Sequence, residues 1–108
     1  MFATIRRYEI LTPGADPGAK EQLLDIIRQD FLPRVSELPG FDGYFVIDTG
    51  SRGLATVSMF ETAEGIEAST RLAADAVRRY AHIARLSPPE ITSGRVVMHR
   101  ESSRLISA

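Results

Sequence analysis

The chain has 108 residues, a formal net charge of -1, 44% hydrophobic and 25% charged residues. That is the length and composition of one globular domain with a core, so a disordered or low-complexity chain is excluded. The balanced charge gives no argument for a nucleic-acid or membrane-surface partner, and the absence of cysteine removes disulfides, thiolate metal sites and a cysteine nucleophile.

Phe2 to Ile10 carries β-branched and aromatic residues and reads as a strand. No apolar stretch of leader type follows Met1, and no run nears the ~18 residues of a membrane span, so a cytoplasmic location is expected. Twelve of the thirteen basic residues are Arg, a bias of GC-rich bacterial genomes. Leu11 to Gly18 is turn-rich, and Asp16 with Pro17 is a helix-start signal. Leu23, Ile27 and Phe31 then recur every fourth residue along one helical face. Pro33 lacks an N–H and ends or kinks that helix, after which Val35 and Leu38 continue an apolar face in a short second piece.

Pro39-Gly40 is a turn, and Phe41 to Asp48 and Leu54 to Phe60 read as two strands joined by a hairpin loop. Neither strand alternates cleanly, so both hairpin faces require cover. Thr62 caps the next helix, which is expected to run to about Leu86. On a helical wheel Ile66, Ala73, Val77, Tyr80 and Ala84 form one stripe, with Arg71, Asp75, Arg78 and His82 opposite. Ser87-Pro88-Pro89 stops it, and Ile91 to Arg100 is the expected last strand. Residues 1–100 thus form a single domain, and 101–108 a polar tail.

The order β-α-β-β-α-β is that of a ferredoxin-like α+β fold: an antiparallel sheet with two helices on one face. The other sheet face, apolar in the hairpin, then needs a partner. A two-fold homodimer with sheets packed face to face is the simplest solution.

This chain resembles the dimeric α+β barrel superfamily, specifically the antibiotic-biosynthesis-monooxygenase-like (ABM-like) family. The resemblance rests on length, element order, Leu38-Pro39-Gly40-Phe41 leading into the second strand, and Phe60-Glu61 passing at once into the second helix. It spans roughly residues 1–100. It implies a dimeric barrel and admits several functions: cofactor-free oxygenases of polycyclic aromatics, haem-degrading enzymes, and members without known activity. The family's haem-degrading members use a His on the second helix, an Asn on the first strand and a Trp. This chain has no Trp and no Asn, and its second-helix His82 is on the polar face. The pocket Trp and Asn of the cofactor-free oxygenases are absent as well, with Tyr8, Tyr44 and Tyr80 the nearest substitutes. No cofactor is expected.

Other motifs have plainer readings. Asp48-Thr49-Gly50 matches the aspartic-protease triplet, but the helices do not suit that fold, and an Asp-Gly hairpin loop accounts for it. His82 and His99 lack the carboxylate support of a metal site, so no metal is expected. There is no Gly-rich phosphate loop and no nucleophile elbow.

What remains is a pocket between sheet and helices. Thr4, Arg6 and Tyr8 share one face of the first strand, and Thr56 and Ser58 one face of the third. With Ser69 and Tyr80 from the second helix, the candidate pocket residues are Arg6, Tyr8, Thr56, Ser58, Ser69 and Tyr80. Phenols, hydroxyls and a guanidinium in a half-apolar cavity suit a small aromatic or carboxylate-bearing ligand, and Arg6 there could stabilise the phenolate or enolate that reacts with O₂. The plain alternative packs Tyr80 and Ser69 into the core and pairs Arg6 with Glu9 or Glu101. If instead the opposite face of the first strand meets the helices, Ala3, Ile5 and Arg7 replace the first set. Two functions stay open: a cofactor-independent monooxygenase or related enzyme on a small aromatic metabolite, and a non-catalytic small-molecule-binding or structural homodimer.

Overall fold

The computed structural model describes residues 1–11 and 17–100. The Asp16 cap and the 101–108 tail, with Glu101, lie outside the described residues. The elements are β1 (Phe2–Glu9), α1 (Pro17–Ile26), a π-helical turn (Ile27–Phe31), α2 (Leu32–Ser36), β2 (Phe41–Asp48), β3 (Gly53–Phe60), α3 (Ala63–Arg79) and β4 (Glu90–Arg95). All strands pair antiparallel in the order β2-β3-β1-β4, the ferredoxin-like arrangement.

Register decides which face meets the helices. Arg6 pairs with Thr56 and Ile91, and Tyr44 pairs with Ser58. Directly opposed residues share a face, and Thr4, Arg6, Tyr8, Thr56 and Ser58 are all buried. The helices therefore cover the Thr4/Arg6/Tyr8 face. Ala3, Ile5 and Arg7 look the other way.

Two buried clusters hold the layers together. One joins Phe31, Val35, Phe60, Ile66 and Ala73, and the other Leu23, Leu54 and Ala84. Phe60 is completely buried, a burial that stabilises by roughly 1.5–3 kcal/mol. Gly65 lets α3 close on it: a Cβ built there would lie 2.6 Å from the Phe60 ring. Gly40, at φ 79°, turns the chain into β2, and its carbonyl accepts from Glu61 N–H at 2.8 Å.

The interruption expected at Pro33 is present, with the short second piece α2 after it, and two later boundaries differ from the sequence expectation. Pro33 cannot donate to the carbonyl of Gln29, and the turn before it widens so that Leu32 N–H reaches Ile27 C=O. The last helix ends at Arg79, not Leu86, because the chain leaves it to bridge back to β1: Leu11 N–H reaches Arg85 C=O at 2.7 Å, and Ser87 N–H reaches Glu9 C=O at 2.8 Å. That tertiary ladder overrides the helical period. β4 ends at Arg95 rather than Arg100, where pairing with β1 runs out at Phe2.

The uncovered sheet face is apolar. Phe45 and Ile47 of β2 are 55% and 47% exposed, and they lie in register with Val57 and Ala55 of β3. No helix among the described residues is long and apolar enough to cross a membrane.

Candidate functional site

A cavity of about 50 Å³ lies between the sheet and the helices, where the two clusters meet. Its floor is Tyr8, Leu54, Thr56 and Tyr44 of the sheet. Its walls come from Ile27 and Phe31 of the π-helical turn, Ala73 and Val77 of α3, and Tyr80 at the end of α3. Ile27, Tyr44, Val77 and Tyr80 keep partial exposure, so the cavity reaches the surface there. At this size it seats a few waters.

Three of the six candidates, Tyr8, Thr56 and Tyr80, line this cavity. The other three converge beside it. Arg6, 1% exposed, donates from Nη1 to Ser58 Oγ at 3.2 Å and from Nη2 to Ser69 Oγ at 2.8 Å. Nη2 also donates to Thr70 Oγ1 at 2.9 Å. Ser69 passes its own proton to Ile66 C=O at 2.7 Å, which leaves its lone pairs for Arg6. Neither Glu9 nor any other carboxylate among the described residues pairs with Arg6, and its Nε has no hydrogen-bond partner. Burial lowers its pKa from the ordinary arginine value, yet a guanidinium does not deprotonate in a protein. Among the described residues, this buried positive charge is held by hydroxyl dipoles and no carboxylate, an expensive arrangement for packing only.

That charge acts on the phenols. Burial pushes the Tyr8 and Tyr44 pKa values up, and the nearby Arg6 pulls each partly back. Both stay protonated at neutral pH.

Two participants were not legible in the sequence. Tyr80 Oη donates to Asp30 Oδ2 at 2.7 Å. Asp30 also accepts from Arg34 Nε at 2.8 Å and lies 3.6 Å from Arg79. The bond from Tyr80, then that from Arg34, hold the Asp30 carboxyl below the usual carboxylate range. The widened turn puts Asp30 within reach of Tyr80, and no helical-wheel count with a regular period anticipates that. Thr70, the third Arg6 partner, follows Ser69 directly in the sequence, off the apolar stripe of the helical wheel.

The hairpin-loop reading of Asp48-Thr49-Gly50 holds. Asp48 is exposed and its Oδ1 accepts from Gly50 N–H at 3.1 Å, with Lys20 beside it, as a hairpin-loop aspartate does. Among the described residues no group of His, Asp or Glu is arranged to hold a metal ion.

Comparison with solved structures gives the same architecture. The NE2512 protein of Nitrosomonas europaea, of unknown function, superposes with a TM-score of 0.72 at 22% identity, covering 95% of each chain. A monooxygenase of Streptomyces coelicolor from the gene ActVA-Orf6, in complex with nanaomycin D, superposes at 0.64 and 14% identity, over 98% of this chain and 92% of that one. A dimeric ferredoxin-like protein from an uncultured marine organism superposes at 0.65 and 12% identity, over 94% of this chain and 100% of that one. The fold these proteins share with this chain is the ferredoxin-like α+β fold. No family model matches the sequence, and no curated protein matches it.

Proposed function

We propose that this ABM-like protein binds a small phenolic compound in the cavity between sheet and helices and oxidises it with O₂, working as a homodimer. One observation carries the reading: a buried guanidinium, paired with no carboxylate among the described residues, beside a cavity lined by three phenols. A positive charge fixed in a dry, low-dielectric place favours the ionised form of a ligand hydroxyl, and needs no reorganisation to do so. The phenolate is the electron-rich form that gives electrons to O₂. A ring carbon forms the C–O bond and loses its hydrogen. One oxygen atom stays as the carbonyl of a quinone, and the other leaves as water with that hydrogen and the phenolic proton. Phenol plus O₂ gives quinone plus water, with O₂ as the only co-reactant.

Arg6 supplies the field, Tyr8 and Tyr44 stay protonated as donors, and Tyr80 borders the ligand at the mouth. The likeness to a monooxygenase in complex with nanaomycin D supports the aromatic ligand class. The homodimer is supported by the bare apolar face around Phe45 and Ile47 and by the likeness to a protein described as dimeric.

A second reading, a non-catalytic binding or structural homodimer, is favoured by the cavity's small size and by the lack of a histidine or carboxylate lining it among the described residues. Oxygen uptake separates the two. The enzyme reading expects uptake with a polyphenol, no product without O₂, and a large loss in Arg6→Met. No uptake with any polyphenol, together with native mass spectrometry of an empty dimer, leaves the second reading. A monomer at micromolar concentration overturns the dimer in both.

A further inference from the structure

The bond between Tyr80 and Asp30 sets what the mouth of the cavity can recognise. A phenol has one O–H to give. Tyr80 gives its proton to Asp30 Oδ2 at 2.7 Å, and Arg34 and Arg79 hold that carboxylate in place. An ionised carboxylate only accepts, so the bond cannot reverse. Tyr80 is left with lone pairs alone.

The sheet end of the cavity has the opposite polarity. Arg6 lies behind Tyr44 and Tyr8 and adds positive potential to both. The cavity therefore runs from donors at the sheet to an acceptor at the end of α3.

We infer that the cavity selects an aromatic ligand with a neutral hydroxyl that donates to Tyr80 and a second oxygen that accepts at the Tyr8 and Tyr44 end. This rests on the phenol-binding reading above and names its ligand class: a dihydroxylated ring or its mono-ether, with one free hydroxyl obligatory. A ligand with ether oxygens alone sets an acceptor against the Tyr80 lone pairs, which is repulsive in a desolvated site and leaves both unpaired.

Binding measured without O₂ tests this apart from turnover. The probes are resorcinol, 3-methoxyphenol and 1,3-dimethoxybenzene, titrated by calorimetry or ligand-observed NMR. Resorcinol and 3-methoxyphenol should bind within a few-fold of each other, since either can present one hydroxyl to Tyr80. 1,3-Dimethoxybenzene should bind roughly tenfold more weakly, the cost of an unmet acceptor. Tyr80→Phe should close that gap. Asp30→Ala, at the rim, returns the Tyr80 proton to the ligand and should also shrink it. Far-UV circular dichroism checks both folds, and Asp30→Ala alone decides if Tyr80→Phe does not fold. Equal binding of dimethoxybenzene and 3-methoxyphenol, a gap that survives in the folded variants, or no binding by any probe overturns the inference. A gap without oxygen uptake upholds it and overturns only the oxidation.

Discussion

Arg6 Nη2 donates to Ser69 Oγ across 2.8 Å, tying the centre of the sheet to the middle of α3. The link is made by a charge that no carboxylate answers among the described residues. Replacing a buried ion by an apolar chain of similar volume is often neutral for stability, whereas truncating it leaves a hole. Arg6→Met should therefore stay within about 1 kcal/mol of the parent, while Arg6→Ala should lose about 3 kcal/mol. Urea unfolding measures both. If Arg6→Met is as damaged as Arg6→Ala, the guanidinium is a structural strut, and its electrostatic role in the proposed oxidation loses its support.

The fold was legible because its signals are periodic. Ile66, Ala73 and Val77 repeat at the helical spacing, and the hairpin strands are apolar on both faces. Thr4, Arg6 and Tyr8 were readable as one strand face by their period of two. Which face met the helices was not, because it depends on the pairing of Arg6 with Thr56 and Ile91. Asp30 was hidden for another reason. It acts only because the turn ahead of Pro33 widens, a backbone change that side-chain periodicity does not encode. Leu86 left the expected helix since its bridge to Ile10 is a long-range contact.

Asp30 predicts an acid limb. Its folded-state pKa lies below the ordinary value of 3.8, first through the bond from Tyr80 and then through Arg34. In the window from about pH 4 downward, the unfolded chain takes up a proton while the folded one stays ionised. The unfolded state binds more protons there, so stability is fully present above that window and is lost as pH falls through the folded value. Melting temperatures of the parent and Asp30→Asn should differ at pH 5–7 and converge toward pH 2. A constant offset across that range would mean that the carboxylate charge contributes nothing.

Tyr44 predicts the alkaline limb with the opposite sign. Burial raises its folded pKa above the ordinary 10. Above that pH the unfolded chain loses a proton that the folded chain keeps, so the folded state binds more protons and stability falls as pH rises. Tyr8 acts in the same direction. Tyrosinate absorbance near 295 nm should then show a part of the three tyrosines titrating only together with loss of near-UV circular dichroism. Tyr44→Phe should flatten the alkaline fall in stability. Free ionisation of all three tyrosines in the folded protein near pH 10 would place water around Tyr44 and contradict its burial.

The apolar sheet face yields a test of assembly. Phe45 is 55% exposed, in register with Val57, while Tyr44 next to it faces the core. A charge at position 45 therefore spoils the outer face without touching the inner one. Phe45→Glu should give a folded monomer where the parent is a dimer, read by native mass spectrometry and circular dichroism. A Phe45→Glu variant that remains dimeric would move the interface off this face.

Gly65 carries the closest approach between layers. Its absent Cβ would meet Phe60 Cδ1 at 2.6 Å and Cβ at 2.9 Å, and Phe60 is completely buried with no free direction to move. In an open helix Gly→Ala would stabilise by up to ~1 kcal/mol through propensity. Here overpacking opposes that gain at about 1–3 kcal/mol, because α3 must lift or the ring must leave its rotamer. Gly65→Ala should thus lower the melting temperature, by roughly 4–8 °C for each kcal/mol in a domain of this size. The lift would also strain the Arg6 link, since Ser69 lies one helical turn along α3. A double variant with Phe60→Leu, which vacates the ring's place, should recover part of the loss made by Gly65→Ala. Strict additivity of the two changes would mean that they do not share the contact.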